Sequence, residues 1–137
     1  MNKLLFLFAT LLLVSCSSGD SANSDSIVGK WYLSTLLFNQ EQEILDNCDI
    51  QSYLEITTGE SGKYYLYYSD DLETEPCGLD IIYDLTYYRV DGSKNYKLTF
   101  EFGDDDYQTG DVVINNDTLT FTSEYDGNIY IYTFLKD

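Results

Sequence analysis

Lys97-Leu98-Thr99-Phe100-Glu101-Phe102 alternates polar and apolar residues without a break, and Thr118-Leu119-Thr120-Phe121-Thr122 does so again further along. Successive side chains of an extended chain point to opposite sides. A period of two therefore sets Leu98, Phe100 and Phe102 on one face of a strand and Lys97, Thr99 and Glu101 on the other. Leu119 and Phe121 stand inward against three threonines in the same way, as do Tyr83, Leu85 and Tyr87 against Asp84 and Thr86. Each is the signature of an antiparallel strand with one face on a core and one in water. Lys63 to Ser69 leaves its faces open, because Tyr64, Tyr65, Tyr67 and Tyr68 fall on both. Tyrosine, with an apolar body and a polar tip, suits either side.

Working outward from these segments, no stretch from Ile27 onward carries a helical period of useful length. Short runs rich in Tyr, Ile, Thr and Phe are punctuated instead by Gly, Asn and Asp. The pattern predicts strands at 30–38, 51–58, 62–69, 79–90, 94–102, 107–115, 118–125 and 128–136, an all-β domain of eight strands. Gly59 to Gly62, Asp91 to Lys94, Asn115 to Asp117 and Asp126 to Asn128 supply the residues that tolerate positive φ in tight hairpins. Neighbouring strands should thus pair antiparallel. An up-and-down sheet of eight strands with one apolar face closes into a barrel when its first and last strands pair, which removes both edges. At this size the interior either fills with side chains or holds one small ligand. The candidate lining is Leu33, Tyr83, Leu85, Tyr87, Leu98, Phe100, Phe102, Leu119 and Phe121.

Seven Lys plus Arg against twenty-four Asp plus Glu, with no His, leave a formal charge of -17 on 137 residues. A field of that sign opposes a phosphate backbone, so nucleic acid is not an expected partner. Without an imidazole the common catalytic triads and His-ligated zinc sites cannot be built from this chain. A pair of carboxylates would suffice for a glycosidase, but most acids fall in turns or on outward registers, and the expectation is a protein that is not an enzyme and carries no cofactor. Asp104-Asp105-Asp106 with Asp111, and Asp70-Asp71 with Glu73 and Glu75, have the oxygen chemistry of a calcium loop without its spacing. They read as solvated loops, and no metal site is expected. Aromatic residues at 16% and apolar residues at 44% separate the chain from disordered acidic sequences.

The amino terminus sets the address. Lys3 precedes an apolar run from Leu4 to Val14, too short to span a bilayer, and residues 1–15 read as a secretory signal. Leu13-Val14-Ser15-Cys16 resembles the lipobox of bacterial lipoproteins, which implies that Cys16 becomes the lipid-bearing first residue and that its acyl chains, palmitate among them, anchor the protein to a membrane. Losing Lys3 with the signal takes the charge from -17 to -18. Ser17 to Ser26 holds no large apolar residue and reads as a solvated tether. Ser17 is unlike the acidic residue that retains some lipoproteins in the inner membrane, so the outer membrane is the expected location, with the domain facing either side.

Assigning Cys16 to lipid leaves Cys48 and Cys77 as an even pair in an oxidising compartment, which predicts a disulfide, with free thiols or a metal pair as the alternative. Gly29-Lys30-Trp31 opens the first strand and resembles the G-x-W motif of lipocalins, in which the tryptophan closes one end of the barrel. Together with the tether and the positions of Cys48 and Cys77, it makes residues 27–137 similar to the short lipocalin-like lipoproteins of Bacteroidetes. The resemblance implies structural roles for Gly29 and Trp31. The chain departs from true lipocalins in having no room for a carboxy-terminal helix after Lys136 and a lone arginine, Arg89.

Three functions are compatible with this reading. The first is a membrane-anchored barrel that binds a small apolar or aromatic ligand. The second is an acidic envelope inhibitor, or immunity-like protein, that blocks a basic protein partner. The third is an accessory glycan-binding subunit that stacks sugars on outward tyrosines such as Tyr65 and Tyr67.

Overall fold

The computed structural model describes residues 26–70, 75–90 and 94–137. The predicted signal, Cys16 and nearly all of the tether lie outside these residues, as do Asp71 and Glu73. The strands are β1 (Gly29–Phe38), β2 (Glu41–Gln42), β3 (Tyr53–Ile56), β4 (Ser61–Tyr68), β5 (Gly78–Arg89), β6 (Asn95–Gly103), β7 (Asp106–Asn115), β8 (Thr118–Tyr125) and β9 (Asn128–Lys136). Apart from the two-residue β2, they are the eight expected from the sequence.

All neighbours from β3 to β9 pair antiparallel in chain order, and β1 pairs with β9 from Trp31↔Lys136 to Phe38↔Tyr130, with a bulge between Leu33 and Thr35. The sheet is therefore a closed, eight-stranded, up-and-down barrel. Alternation places Tyr64 and Leu66 inside and Tyr65 and Tyr67 outside, which resolves the one segment whose faces the sequence left open. Outside, Tyr65 stacks on Tyr53 at 4.5 Å between centroids, and Lys30 Nζ lies 3.8 Å from the Tyr53 centroid. The ring face that Tyr65 turns to Tyr53 is thus covered by protein rather than offered to a sugar.

One end is sealed. Trp31 is fully buried, its indole N–H donates to the Ile27 carbonyl at 2.8 Å, and Lys136 Nζ covers the ring at 5.0 Å. Gly29 sits at φ +145, and a Cβ there would lie 3.1 Å from Lys136 Cε, so glycine lets the chain turn under the tryptophan. Above this plug pack Leu54, Ile56, Leu85, Leu98, Val112, Ile114, Leu119 and Phe121. Gly110 completes the layer: a Cβ on it would meet the Phe121 ring at 2.6 Å and the Thr122 carbonyl more closely still.

The opposite end is built differently. β3 pairs with only Gly29 to Tyr32 of β1, and Leu37 and Phe38 turn instead to β2. The connection from Glu43 to Ser52 spans the gap. Its Ser52 is buried, the carbonyl accepting from Leu33 N–H at 2.9 Å and the hydroxyl accepting from Tyr67 N–H at 3.0 Å. A 3-10 turn (Asp49–Gln51) precedes Ser52, and Cys48 is disulfide-bonded to Cys77 in the connection between β4 and β5. The predicted pair is present, and it fastens the crossing segment over the barrel mouth.

Candidate functional site

Beneath that segment lies a cavity of about 290 Å³. Its walls come from alternate inward positions of successive strands: Leu33 and Leu36 on β1, Tyr64 and Leu66 on β4, Tyr83 on β5, Phe100 and Phe102 on β6, Gln108 on β7 and Tyr132 on β9. Leu45 and Asp49 of the crossing segment form the roof. Rings meet around the space at angles that favour aromatic contact: Tyr64 and Phe100 at 5.4 Å, Tyr83 edge-on to Phe102 at 4.7 Å, and Phe121 below, edge-on to Phe100 at 5.1 Å. A larger depression of about 480 Å³ exists on the outer wall around Lys63, Asp84 and Glu101. It is the more open of the two and Lys63 is spent on Asp84 at 2.6 Å, so the chamber within the barrel is the better site.

Of the nine residues expected to line a ligand space, Leu33, Tyr83, Phe100 and Phe102 do so. Leu85, Tyr87, Leu98, Leu119 and Phe121 do not. They are buried in the packed half above Trp31, and the Tyr87 hydroxyl is committed to the Thr57 carbonyl at 2.6 Å. Inward register is shared by floor and chamber alike, and only the tryptophan plug decides which half is solid. Gln108 and Tyr132 were legible by stepping the alternation back from Val112 and Phe134. Leu45 and Asp49 carry no strand period, and nothing in the sequence pointed to them.

Polar groups reach the chamber from several strands and from its roof. Gln108 Nε2 donates to Ser123 Oγ at 2.7 Å, both buried. Burial pushes the Tyr132 phenol up to about 12, with Tyr130 adding to the rise and a hydrogen bond from Gln108 opposing it. Burial drives Tyr64 higher still, and Tyr132, Asp49 and Tyr83, which line the same chamber, each add to that. Asp49 is set by its own turn: its Oδ2 accepts the Asp46 N–H at 2.9 Å, while Asp46 Oδ1 accepts from Cys48 N–H at 2.6 Å and Asp49 N–H at 2.9 Å. The site therefore offers apolar contact on most sides, several phenol hydroxyls, one amide and one carboxylate.

The two raised phenols make a pH prediction. Below about pH 10, the ordinary value, both are neutral in the folded and the unfolded chain, and their contribution is fully present. Above it the unfolded chain gives up these protons and the folded chain does not. Stability should fall as pH rises toward and through the folded values, by about 1.4 kcal/mol per pH unit for each phenol. Tyrosinate absorbance should show the exposed tyrosines ionising first and a last pair ionising only as the circular dichroism of the sheet is lost. Reversible ionisation of all of them near pH 10 with the barrel intact would contradict the burial.

Charge is distributed along the barrel axis. Lys30, Arg89, Lys94 and Lys136 stand at the sealed end, and Lys63 and Lys97 lie on the outer wall against Asp84 and Asp111. The mouth carries Glu41, Glu43, Asp46, Asp49, Asp70, Glu75, Asp104, Asp105, Asp106, Glu124 and Asp126, and no lysine or arginine among the described residues. Of the first acid group weighed as a calcium loop, Asp106 accepts from the Tyr125 hydroxyl at 2.8 Å and Asp111 pairs with Lys97 at 2.8 Å; Asp71 and Glu73 of the second lie outside the described residues. Comparison with known proteins finds no family model, no curated protein and no solved structure that matches this chain.

Proposed function

We propose that this protein is a lipid-anchored, lipocalin-like barrel of the bacterial outer membrane that binds, rather than transforms, one small apolar or aromatic molecule in its mouth. The observation that carries the reading is the chamber inside the barrel mouth, above a sealed floor and walled by Tyr64, Tyr83, Phe100, Phe102 and Tyr132. Ligand sites are typically concave, mostly apolar and furnished with a few convergent polar groups. A dry cavity of about 150 Å³ already holds benzene, and this one is about 290 Å³, room for one or two rings. The described chain begins at Ser26, beside the sealed end, and β1 then runs toward the mouth. The solvated tether from Cys16 would therefore join the barrel at its sealed end and leave the mouth free.

Filling the chamber tests this. Leu66→Trp should weaken binding of indole or p-cresol, measured by calorimetry, at least tenfold, while leaving the sheet's circular dichroism unchanged. Neutral single-ring compounds that fail to bind the unmodified protein at millimolar concentration, with no small molecule retained on it in native mass spectrometry after purification from its host, would overturn the reading. A second reading, an acidic inhibitor that seats its rim in the cleft of a basic enzyme, is favoured by the uncompensated acids of the mouth and by Ile44, 96% exposed on the crossing segment. It needs the rim and not the chamber, so capture of a basic protein that survives Leu66→Trp would select it.

A further inference from the structure

We propose that the mouth chamber selects a small organic cation, an amine carried on one or two rings, whose ammonium group pairs with Asp49. The inference rests on the small-molecule reading above and narrows the class of ligand.

Three independent features lead there. Asp49 is the one charged side chain lining the chamber, and its Oδ2 is held by the Asp46 N–H. Among the described residues its other carboxylate oxygen has no hydrogen bond, so a donor entering the mouth would find it available. Five aromatic rings surround the same space. The negative face of an aromatic ring attracts a cation within about 6 Å of its centroid, most strongly where water is excluded. Finally, the field outside agrees with the chemistry inside. Every lysine and arginine of the described residues lies at the sealed end or on the outer wall, whereas the mouth loops are acidic throughout. Such a rim concentrates cations at the opening and repels anions.

An anionic ligand would fare badly at this site. A fatty acid or other carboxylate would bring its charge beside Asp49 with no base to receive it, and a desolvated charge without a partner is costly. A neutral ring would take the apolar contacts alone. An ammonium group takes those contacts and also pairs with a carboxylate that otherwise stands without a counter-charge. The disulfide of the adjacent Cys48 fixes the position of this carboxylate relative to the rings, so less ordering is left to the ligand.

Three indoles of matched size and different charge test the proposal by calorimetry on the purified, oxidised protein: tryptamine, tryptophol and indole-3-propionate. Tryptamine should bind at least tenfold more tightly than tryptophol, and indole-3-propionate more weakly than either. Asp49→Asn should bring tryptamine down to the level of tryptophol and leave tryptophol unchanged. Should that variant lose its crossing segment, Tyr83→Leu, which removes a ring and no charge, should lower the affinity for tryptamine more than that for tryptophol. Equal binding of tryptophol and tryptamine, or an Asp49→Asn loss shared equally by all three, would overturn cation selection and leave the carrier reading standing. If none of the three binds a correctly folded, disulfide-bonded protein, both fall together.

Discussion

Trp31→Ala should lower the free energy of unfolding by about 3–5 kcal/mol, the usual range for deleting a large buried aromatic side chain. Against the 5–15 kcal/mol typical of a folded domain, that is enough to leave the barrel marginal. The indole is fully buried, it is the only tryptophan, and its loss would leave a void at the sealed end of the core. Two dependent contacts would go with it. The Ile27 carbonyl loses the 2.8 Å donor that holds it, and Lys136 loses the ring beneath its ammonium group. Trp31→Phe separates these contributions, since it keeps an aromatic body and removes the N–H. It should cost about 1–3 kcal/mol, the range for leaving a buried acceptor without its donor. Urea unfolding followed by circular dichroism at the sheet band measures both. A Trp31→Ala midpoint close to that of the unmodified chain would mean that the plug is not a structural keystone and that the sealed end is held by the strands alone.

The plug also explains which parts of the molecule were legible in the sequence. Alternation is a local property, and it located β8 and β9 to the residue and β1 and β4 to β7 within one residue at each end. β3 is shorter than the expected 51–58 because the 3-10 turn takes Gln51 and Thr57 already bends back to donate its N–H and hydroxyl to the Ser61 carbonyl. β2 was invisible because its hairpin turns on Asn39 and Gln40, both at positive φ, and glutamine is not among the residues that announce such a turn. Closure followed from counting strands and turns. The chamber did not, since Phe100 and Phe121 share the same register and only the depth of packing separates the wall from the floor. Asp49 was beyond reach for another reason: its place depends on a crossing segment that neither strand nor helix period describes. Counting cysteines after Cys16 was set aside predicts the disulfide, and the long connection from Asn39 to Ile50 that ends at Cys48 is thereby expected beside the loop of Pro76 and Cys77; strand period alone does not place that connection as a roof over a chamber.

That roof is the basis of the second large effect. Replacing both Cys48 and Cys77 by alanine should cost about 2–5 kcal/mol, in keeping with a chain-entropy value of about 3–4 kcal/mol for a loop of this length. The sequence separation is 29 residues. The loss should not be uniform over the molecule. Most barrel strands are zipped to neighbours along much of their length, but the segment from Glu43 to Ser52 is held by the disulfide, by Ser52, by the Glu43 N–H bond to the Leu36 carbonyl and by its own Asp46 turn. Released from Cys77, it should open at a lower free energy than the sheet does, since segments with few buried contacts form the least stable cooperative units. Amide hydrogen exchange should therefore quicken in residues 43–52 more than in β7 to β9. Opening would carry Leu45 and Asp49 away from the rings of Tyr64 and Phe102. Ligand affinity should then fall further than the loss of either residue alone, and reduction of the unmodified protein should reproduce the fall. Exchange that quickens equally across the sheet and the crossing segment would instead make the bond a constraint on the unfolded chain only, with no part in shaping the mouth.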